Sequence, residues 1–276
     1  MITRRILSTT HKQFIGRGRD LMLSRANRLI GAEVMLPTFV SFGTPGVPDA
    51  DFLVKAATGA ELPNAADPGE TVTYTTETDG TTPLDSAAPT PETISLPDGS
   101  TVEVWDVSDG AAYGRNLISV VTHGSAVVAM TILITGYDYL YRAMTELHTI
   151  TAGTTTKTAT GYKAFKYVKS VAITAAADAS ANTLNLGTGT KLGLPYALQK
   201  KGQLLQATLG GVQELINVAS NATVMEATAT TATNATGDVR GTVSFNTALD
   251  GSKEAACWMY VEDINSGTGL VGVAQA

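Results

Sequence analysis

The sequence predicts a mainly β protein, with an extended N-terminal arm carrying a short helix, followed by a β-sandwich domain of jelly-roll or Ig-like type. Three observations carry this expectation. Between Leu117 and Leu198 apolar and polar residues alternate with a period of two, the pattern of half-buried strands. Nine of the ten prolines fall between Pro37 and Pro97, where a fixed φ and a missing donor disfavour long helices and central strands. Charged residues are 16% of the chain, against roughly 25% in typical soluble domains, and Thr, Ala and Gly fill the difference. At 276 residues the chain is long enough to bury a sizeable core. The expected organisation is a basic arm over residues 1–34, an extended proline-rich segment over 35–115 and a sandwich domain over 116–276.

Residues 1–30 hold Arg4, Arg5, Lys12, Arg17, Arg19, Arg25 and Arg28 against Asp20, a net of +6. Residues 31–110 hold Lys55 against 14 acids, a net of −13. A basic arm before an acidic region seeks either a polyanion or an acidic protein surface. From Arg17 to Ile30 the spacing predicts a short helix whose one face holds Leu21, Met22, Arg25, Arg28 and Leu29, stopped by Gly31. That helix has three possible beds: its own body, a neighbouring subunit or shell, and nucleic acid. The single aromatic, Phe14, and the missing stacking or reading motif weigh against nucleic acid.

Within the proline-rich segment, short strands are expected at Thr71–Thr75, Glu92–Leu96 and Thr101–Trp105. Pro97-Asp98-Gly99-Ser100 should turn the last two into a hairpin. The segment as a whole reads as an extended arm held mainly by partners. The string Asp106-Val107-Ser108-Asp109-Gly110 reads as a turn, because it lacks the alternating ligands and closing glutamate of a calcium loop.

Beyond it, the run from Val120 to Ile134 and the run from Ala143 to Ile150 should form strands. In the second, Met144, Glu146, His148 and Ile150 share one side. Gly136 and Asp138 suit the intervening loop. Gly161 to Ile173 alternates again, with Phe165, Tyr167, Lys169, Val171 and Ile173 on one side. Thr183–Gly189 is a further strand, and the chain leaves extended through Pro195. Gly210-Gly211 should turn one strand into the next, Arg240–Asn246 and Cys257–Glu262 should be the last strands, and Ala227–Thr236 is a low-complexity stretch. Cys257 alone allows neither a disulfide within the chain nor a cysteine-based zinc site, and is expected as a buried free thiol.

Six short motifs, in this order, carry a resemblance. They are Gly136-Tyr137-Asp138, Met144-Thr145-Glu146, Gly161-Tyr162-Lys163-Ala164-Phe165-Lys166, Ser170-Val171, Gly187-Thr188-Gly189 and Leu192-Gly193-Leu194-Pro195. Together they resemble a group of tailed-bacteriophage virion proteins in which a β-sandwich module stands on the capsid exterior as a cement or decoration protein. The resemblance covers about 80 residues. In that pattern the hairpin loop carries a glycine after its tyrosine, where this chain has Leu140-Tyr141.

The resemblance implies a structural protein that binds the outside of a phage capsid and cements adjacent major capsid proteins. It implies a homo-oligomer, dimer or trimer, at the capsid surface after synthesis in a bacterial host cytoplasm, and it brings no catalytic residue or cofactor. A tail or head-fibre protein that binds a receptor or carbohydrate is the alternative, and a carbohydrate-degrading spike module is a third reading. The residues expected to anchor the protein on its partner are Arg4, Arg5, Phe14, Arg17, Arg19, Leu21, Met22, Arg25, Arg28 and Leu29.

The chemistry-bearing residues point the same way. His11, His123 and His148 are the only histidines. Glu146 and His148 share a strand face, but no Gly-x-Ser-x-Gly element accompanies them, so they read as a cross-strand or surface polar pair. No phosphate-binding glycine loop opens a helix, and no apolar run is long enough to span a membrane. The chain is therefore expected not to be an enzyme, and to need no metal and no cofactor.

Overall fold

The computed structural model describes residues 35–64, 69–76, 89–196, 204–214, 222–223 and 242–262. The basic arm, its short helix, all ten expected anchor residues and the Ala227–Thr236 stretch lie outside the described residues.

The described chain is mainly β, in antiparallel sheets. In chain order the strands are β1 (Met35–Gly43), β2 (Val54–Ala57), β3 (Thr71–Thr75), β4 (Glu92–Ser95), β5 (Thr101–Asp106) and β6 (Arg115–Thr122). Next come β7 (Met130–Tyr137), β8 (Ala143–Ile150), β9 (Thr156–Thr160), β10 (Tyr167–Ala175) and β11 (Thr183–Gly193). The last are β12 (Leu204–Leu209), β13 (Val212–Glu214), β14 (Ala222–Thr223), β15 (Thr242–Ser244) and β16 (Ala255–Glu262). Among the described residues one 3-10 turn, Gly59–Glu61, follows β2. No helix among the described residues is long and apolar enough to cross a membrane.

One six-stranded sheet runs β4-β5-β10-β7-β8, with β3 on the same edge of β10 as β5. The second runs β14-β15-β11-β6-β9, with β2 beside β11. Both feed one apolar core. Ile132, Ile134, Met144, Val171 and Ile173 come from the first sheet, and Leu117, Val121, Leu184 and Leu186 from the second. Each such side chain, once buried, contributes roughly 1.5–3 kcal/mol. A four-stranded sheet, β1-β16-β12-β13, closes a second core in which Val40, Phe42, Leu204 and Met259 meet Leu192, Leu194 and Val243.

Local chemistry explains the strands that were expected. β3, β4 and β5 stand where period two placed them. The turn at 97–100 closes with Gly99 at φ 86°, Leu96 N–H donating to the Ser100 carbonyl and Asp98 Oδ1 accepting from Ser100. β7 and β8 pair in register from Met130↔Ile150 to Tyr137↔Ala143. Their loop is built around Asp138, whose Oδ1 accepts from the backbone N–H groups of Leu140 and Arg142, each at 2.8 Å. Tyr141 holds φ at 60° there. This is the left-handed conformation that glycine adopts without strain, in the loop where the resembling pattern has one.

Three expectations are corrected. The proline-rich segment is no arm outside the β body: β1 pairs β16, β2 pairs β11, and β3 and β5 pair β10. Phe42, Leu53, Leu62, Tyr74 and Trp105 are buried in the shared cores. The described prolines sit in connections or, for Pro37, in β1, which is an edge strand, and there the missing donor breaks no ladder. A boundary at residue 115 therefore divides the sheets rather than separating a domain from them.

Secondly, the alternation through Gly161–Ile173 does not hold. Residues 161–166 form a loop with a bridge at Phe165, and β10 carries an irregularity between Val168 and Ser170. The bulge puts both Val168 and Val171 into the core and leaves Lys169 exposed. Thirdly, Glu146 and His148 are no surface pair, as the next section shows.

Candidate functional site

Strand β8 presents Met144, Glu146, His148 and Ile150 on one side, and all four are buried. Apolar residues at both ends drive that side inward and carry the two polar residues with them. The interior answers with partners. Ser119 on β6, also buried, lies with its Oγ 2.7 Å from His148 Nδ1. Glu146 Oε1 accepts from the backbone N–H groups of Tyr162 at 2.6 Å and Lys163 at 3.3 Å. His148 Nε2 and Glu146 Oε2 face each other at 3.6 Å.

Gly161 closes this cluster. A Cβ there would stand 2.5 Å from Glu146 Oε2, 2.9 Å from His148 Nε2 and 2.8 Å from the Leu117 carbonyl oxygen. The Gly161 carbonyl accepts from Asn116 Nδ2 at 3.0 Å, and Asn116 Oδ1 accepts from Lys191 N–H. Lys163 is buried, with its Nζ donating to the Thr145 carbonyl. The Lys191 ammonium stands 4.2 Å from the Tyr162 ring centroid. Burial holds its pKa below the usual lysine range, and Glu146 opposes that shift.

A serine, an imidazole and a carboxylate in sequence are the parts of a nucleophile, base and orienter. Here each is inside the core, and Ser119 has no exposed surface. The arrangement instead supplies acceptors for the loop at 161–163 and locks it between β6 and β8. Sequence reasoning placed Glu146 and His148 on one side but missed Ser119. The signal that the side faces inward was available in Met144 and Ile150.

A second buried group, Arg115 on β6, ties that strand to β11 and to the segments at Gly46 and Asp109. Its Nη2 donates to the Gly189 carbonyl at 2.7 Å, and its Nη1 to the Gly46 carbonyl at 3.1 Å and to Asp109 Oδ2 at 2.8 Å. Burial lowers its pKa, and Asp109 opposes the change. The Asp106–Gly110 string leaves β5 at Asp106 and turns at Asp109 and Gly110, with φ 45° and 78°. Asp106 Oδ1 caps the Ser108 N–H, and Lys166 Nζ stands 3.6 Å from Asp106 Oδ2.

The outward surface offers two further features. A groove of about 600 Å³ is lined by Thr73, Thr75, Thr93, Glu103 and Lys169, where β5 peels from β10 and β3 takes its place. The other is aromatic. Phe39 and Trp258 are cross-strand partners on β1 and β16, with ring centroids 5.2 Å apart. They remain 50% and 43% exposed. Gln206 on β12 is the other strand neighbour of Trp258.

No protein-family model matches the chain, and neither a curated protein nor a solved structure is significantly similar to it.

Proposed function

We propose that this chain is a virion structural protein that binds the outside of a phage capsid and cements adjacent major capsid proteins. In this reading the two six-stranded sheets are the faces of a β-sandwich module. The observation that carries the binding role is the exposed Phe39–Trp258 pair on the four-stranded sheet. Exposed apolar patches of this kind mark interaction surfaces. The pair lies on the two strands from which both terminal segments depart, since Met35 pairs with Glu262. Within the basic segment 1–30, Arg4, Arg5, Phe14, Arg17, Arg19, Leu21, Met22, Arg25, Arg28 and Leu29 are the proposed anchor. The burial of Ser119, His148 and Glu146 supports a mechanical rather than a catalytic role. The sequence resemblance to phage cement proteins gives the partner its class.

A second reading, a receptor-binding head-fibre or tail protein that takes carbohydrate, is favoured by Gln206 beside Trp258, an amide next to an aromatic surface. Fractionation of purified particles into shells and tails separates the two. Capsid-scale copy number on shells supports cementing. Tail-scale copy number supports the second reading, and absence from both overturns the proposal.

A further inference from the structure

The outward side of the first six-stranded sheet carries a charge-free face. Thr73, Ala172, Leu133 and Leu147 stand in one row across β3, β10, β7 and β8. Their strand neighbours Tyr74, Val171, Ile132 and His148 point the other way, into the interior. The row on one side is Thr71, Thr174, Thr131 and Thr149, and the row on the other is Thr75, Ser170, Thr135 and Thr145. None of these side chains is charged, in a chain of net charge −6. Leu133 and Leu147 nevertheless stand 40% and 57% exposed at its centre and edge.

The middle row is lopsided. Its β7–β8 half is bulky, with Leu133 beside Leu147, and its β3–β10 half is small, with Thr73 beside Ala172. The groove of about 600 Å³ deepens the small half, because Thr73, Thr75 and Ser170 all line it.

We propose that two copies of this chain pack against each other through this face in solution. A two-fold axis parallel to the strands, between β10 and β7, lays β7 of one copy over β10 of the other and β8 over β3. Leu133 then meets the second copy's Ala172, and Leu147 enters the second copy's groove at Thr73. The contact occurs twice, as in any isologous dimer. Large residues against small ones let facing sheets interdigitate at their usual separation of about 10 Å. Acidic chains repel one another least where neither presents a charge, and the centres of interfaces are depleted of charge. The face is separate from the Phe39–Trp258 surface, and the proposal stands whether or not the chain binds a capsid.

Size sets the strength of the contact. Four strands and three rows make a face of about 20 by 20 Å. Two such faces project roughly 800 Å², and the groove walls at Val102 and Glu103 add to this twice. That is the low end of specific interfaces, so the dimer is micromolar and reversible.

Sedimentation equilibrium on the full chain, from about 1 µM to about 200 µM, brackets such an affinity. The natural chain is expected to pass from monomer to dimer across this range. Leu147→Asp adds a charge that the contact would have to desolvate, and should weaken dimerisation at least about tenfold. Trp258→Ala should leave it unchanged. A natural chain that stays monomeric throughout overturns the proposal. So does a dimer that Leu147→Asp leaves intact or that Trp258→Ala abolishes. Cross-linking decides the matter should the Leu147→Asp variant fail to fold. Thr73 and Leu147 of one chain lie three strand spacings apart, about 14 Å, whereas a disulfide needs Cα atoms within about 7 Å. Cys257 is buried, so the natural chain serves as the control. The oxidised double variant Thr73→Cys, Leu147→Cys should run as a covalent dimer, and Leu147→Cys alone should not. Absence of that covalent dimer, or equal cross-linking of the single variant, refutes the two-fold contact.

Discussion

The chain has two tryptophans, and they sit in opposite settings. Trp105 on β5 is fully buried in the core shared by the six-stranded sheets, while Trp258 on β16 is 43% exposed beside Phe39. The same contrast runs through the regions around them. The first region encloses its reactive groups, with Ser119, His148, Glu146, Lys163 and Arg115 all inside. The second buries Phe42 among aliphatic and sulfur-bearing side chains and leaves Phe39 and Trp258 on its outer face. Glu146 holds the loop at 161–163 inside the first region, while Phe39 and Trp258 stand on the surface of the second.

The largest expected effect that tests this division is in the first region. Trp105→Ala should destabilise the fold by about 3–5 kcal/mol, through lost apolar burial and the cavity left behind. Trp105→Phe should cost clearly less, because the buried indole N–H has no hydrogen-bond partner to lose among the described residues. Urea denaturation measures both, and equal losses for the two variants would break the assignment of Trp105 to packing alone.

Next in size is Glu146→Ala, which removes the acceptor for the Tyr162 and Lys163 N–H groups. Leaving such donors unsatisfied costs about 1–3 kcal/mol. Glu146→Gln keeps an acceptor and should recover part of the loss in the same denaturation experiment. A Glu146→Ala variant as stable as the natural chain would make the cluster incidental.

Much of this architecture was legible in the sequence. β3, β4, β5, the β7–β8 hairpin and the Gly210-Gly211 turn follow from period two and turn chemistry, which are local signals. What was hidden depends on distant partners. The bulge at Val168–Ser170, in the pairing with β7, lies where β10 passes from β5 to β3 along its other edge, and no local pattern encodes those distant pairings. β1 was missed because Pro37 argues against a strand until β1 is known to lie at an edge. The inward turn of Glu146 and His148 was readable from Met144 and Ile150, but Ser119 reaches them from another strand, 29 residues earlier.

Cys257 sharpens the comparison on the second region's inner face. It is buried, and burial pushes its thiol up to about 12 from 9.0. A raised acid pKa means the folded state holds its proton longer. The stability it contributes is whole below pH 9 and falls as pH rises from there toward 12. Cys257→Ala should flatten that alkaline slope in pH-dependent denaturation. An unchanged slope would mean the thiol is not the titrating group.

Smaller still is the expected effect on stability of the exposed aromatics. Phe39→Ala and Trp258→Ala should each cost about 0.2–1 kcal/mol, the size of a cross-strand pair contribution. Losses as large as that of Trp105→Ala would show Trp258 to be core rather than surface.

The central proposal is that residues 1–30 and the Phe39–Trp258 face hold the protein on a phage capsid. Its most direct measurement is copy number per particle by gel densitometry, at low and high salt. Exposed charges contribute on the order of 0.2–1 kcal/mol each, and buried apolar side chains roughly 1.5–3 kcal/mol. Leu21→Ser with Leu29→Ser should therefore strip more protein from shells than charge reversal at Arg4 and Arg5, and the charge-reversal loss should grow as salt is lowered. Full occupancy by a chain altered at Leu21 and Leu29, at both salt concentrations, would contradict the account and move the anchor to another face of the β body.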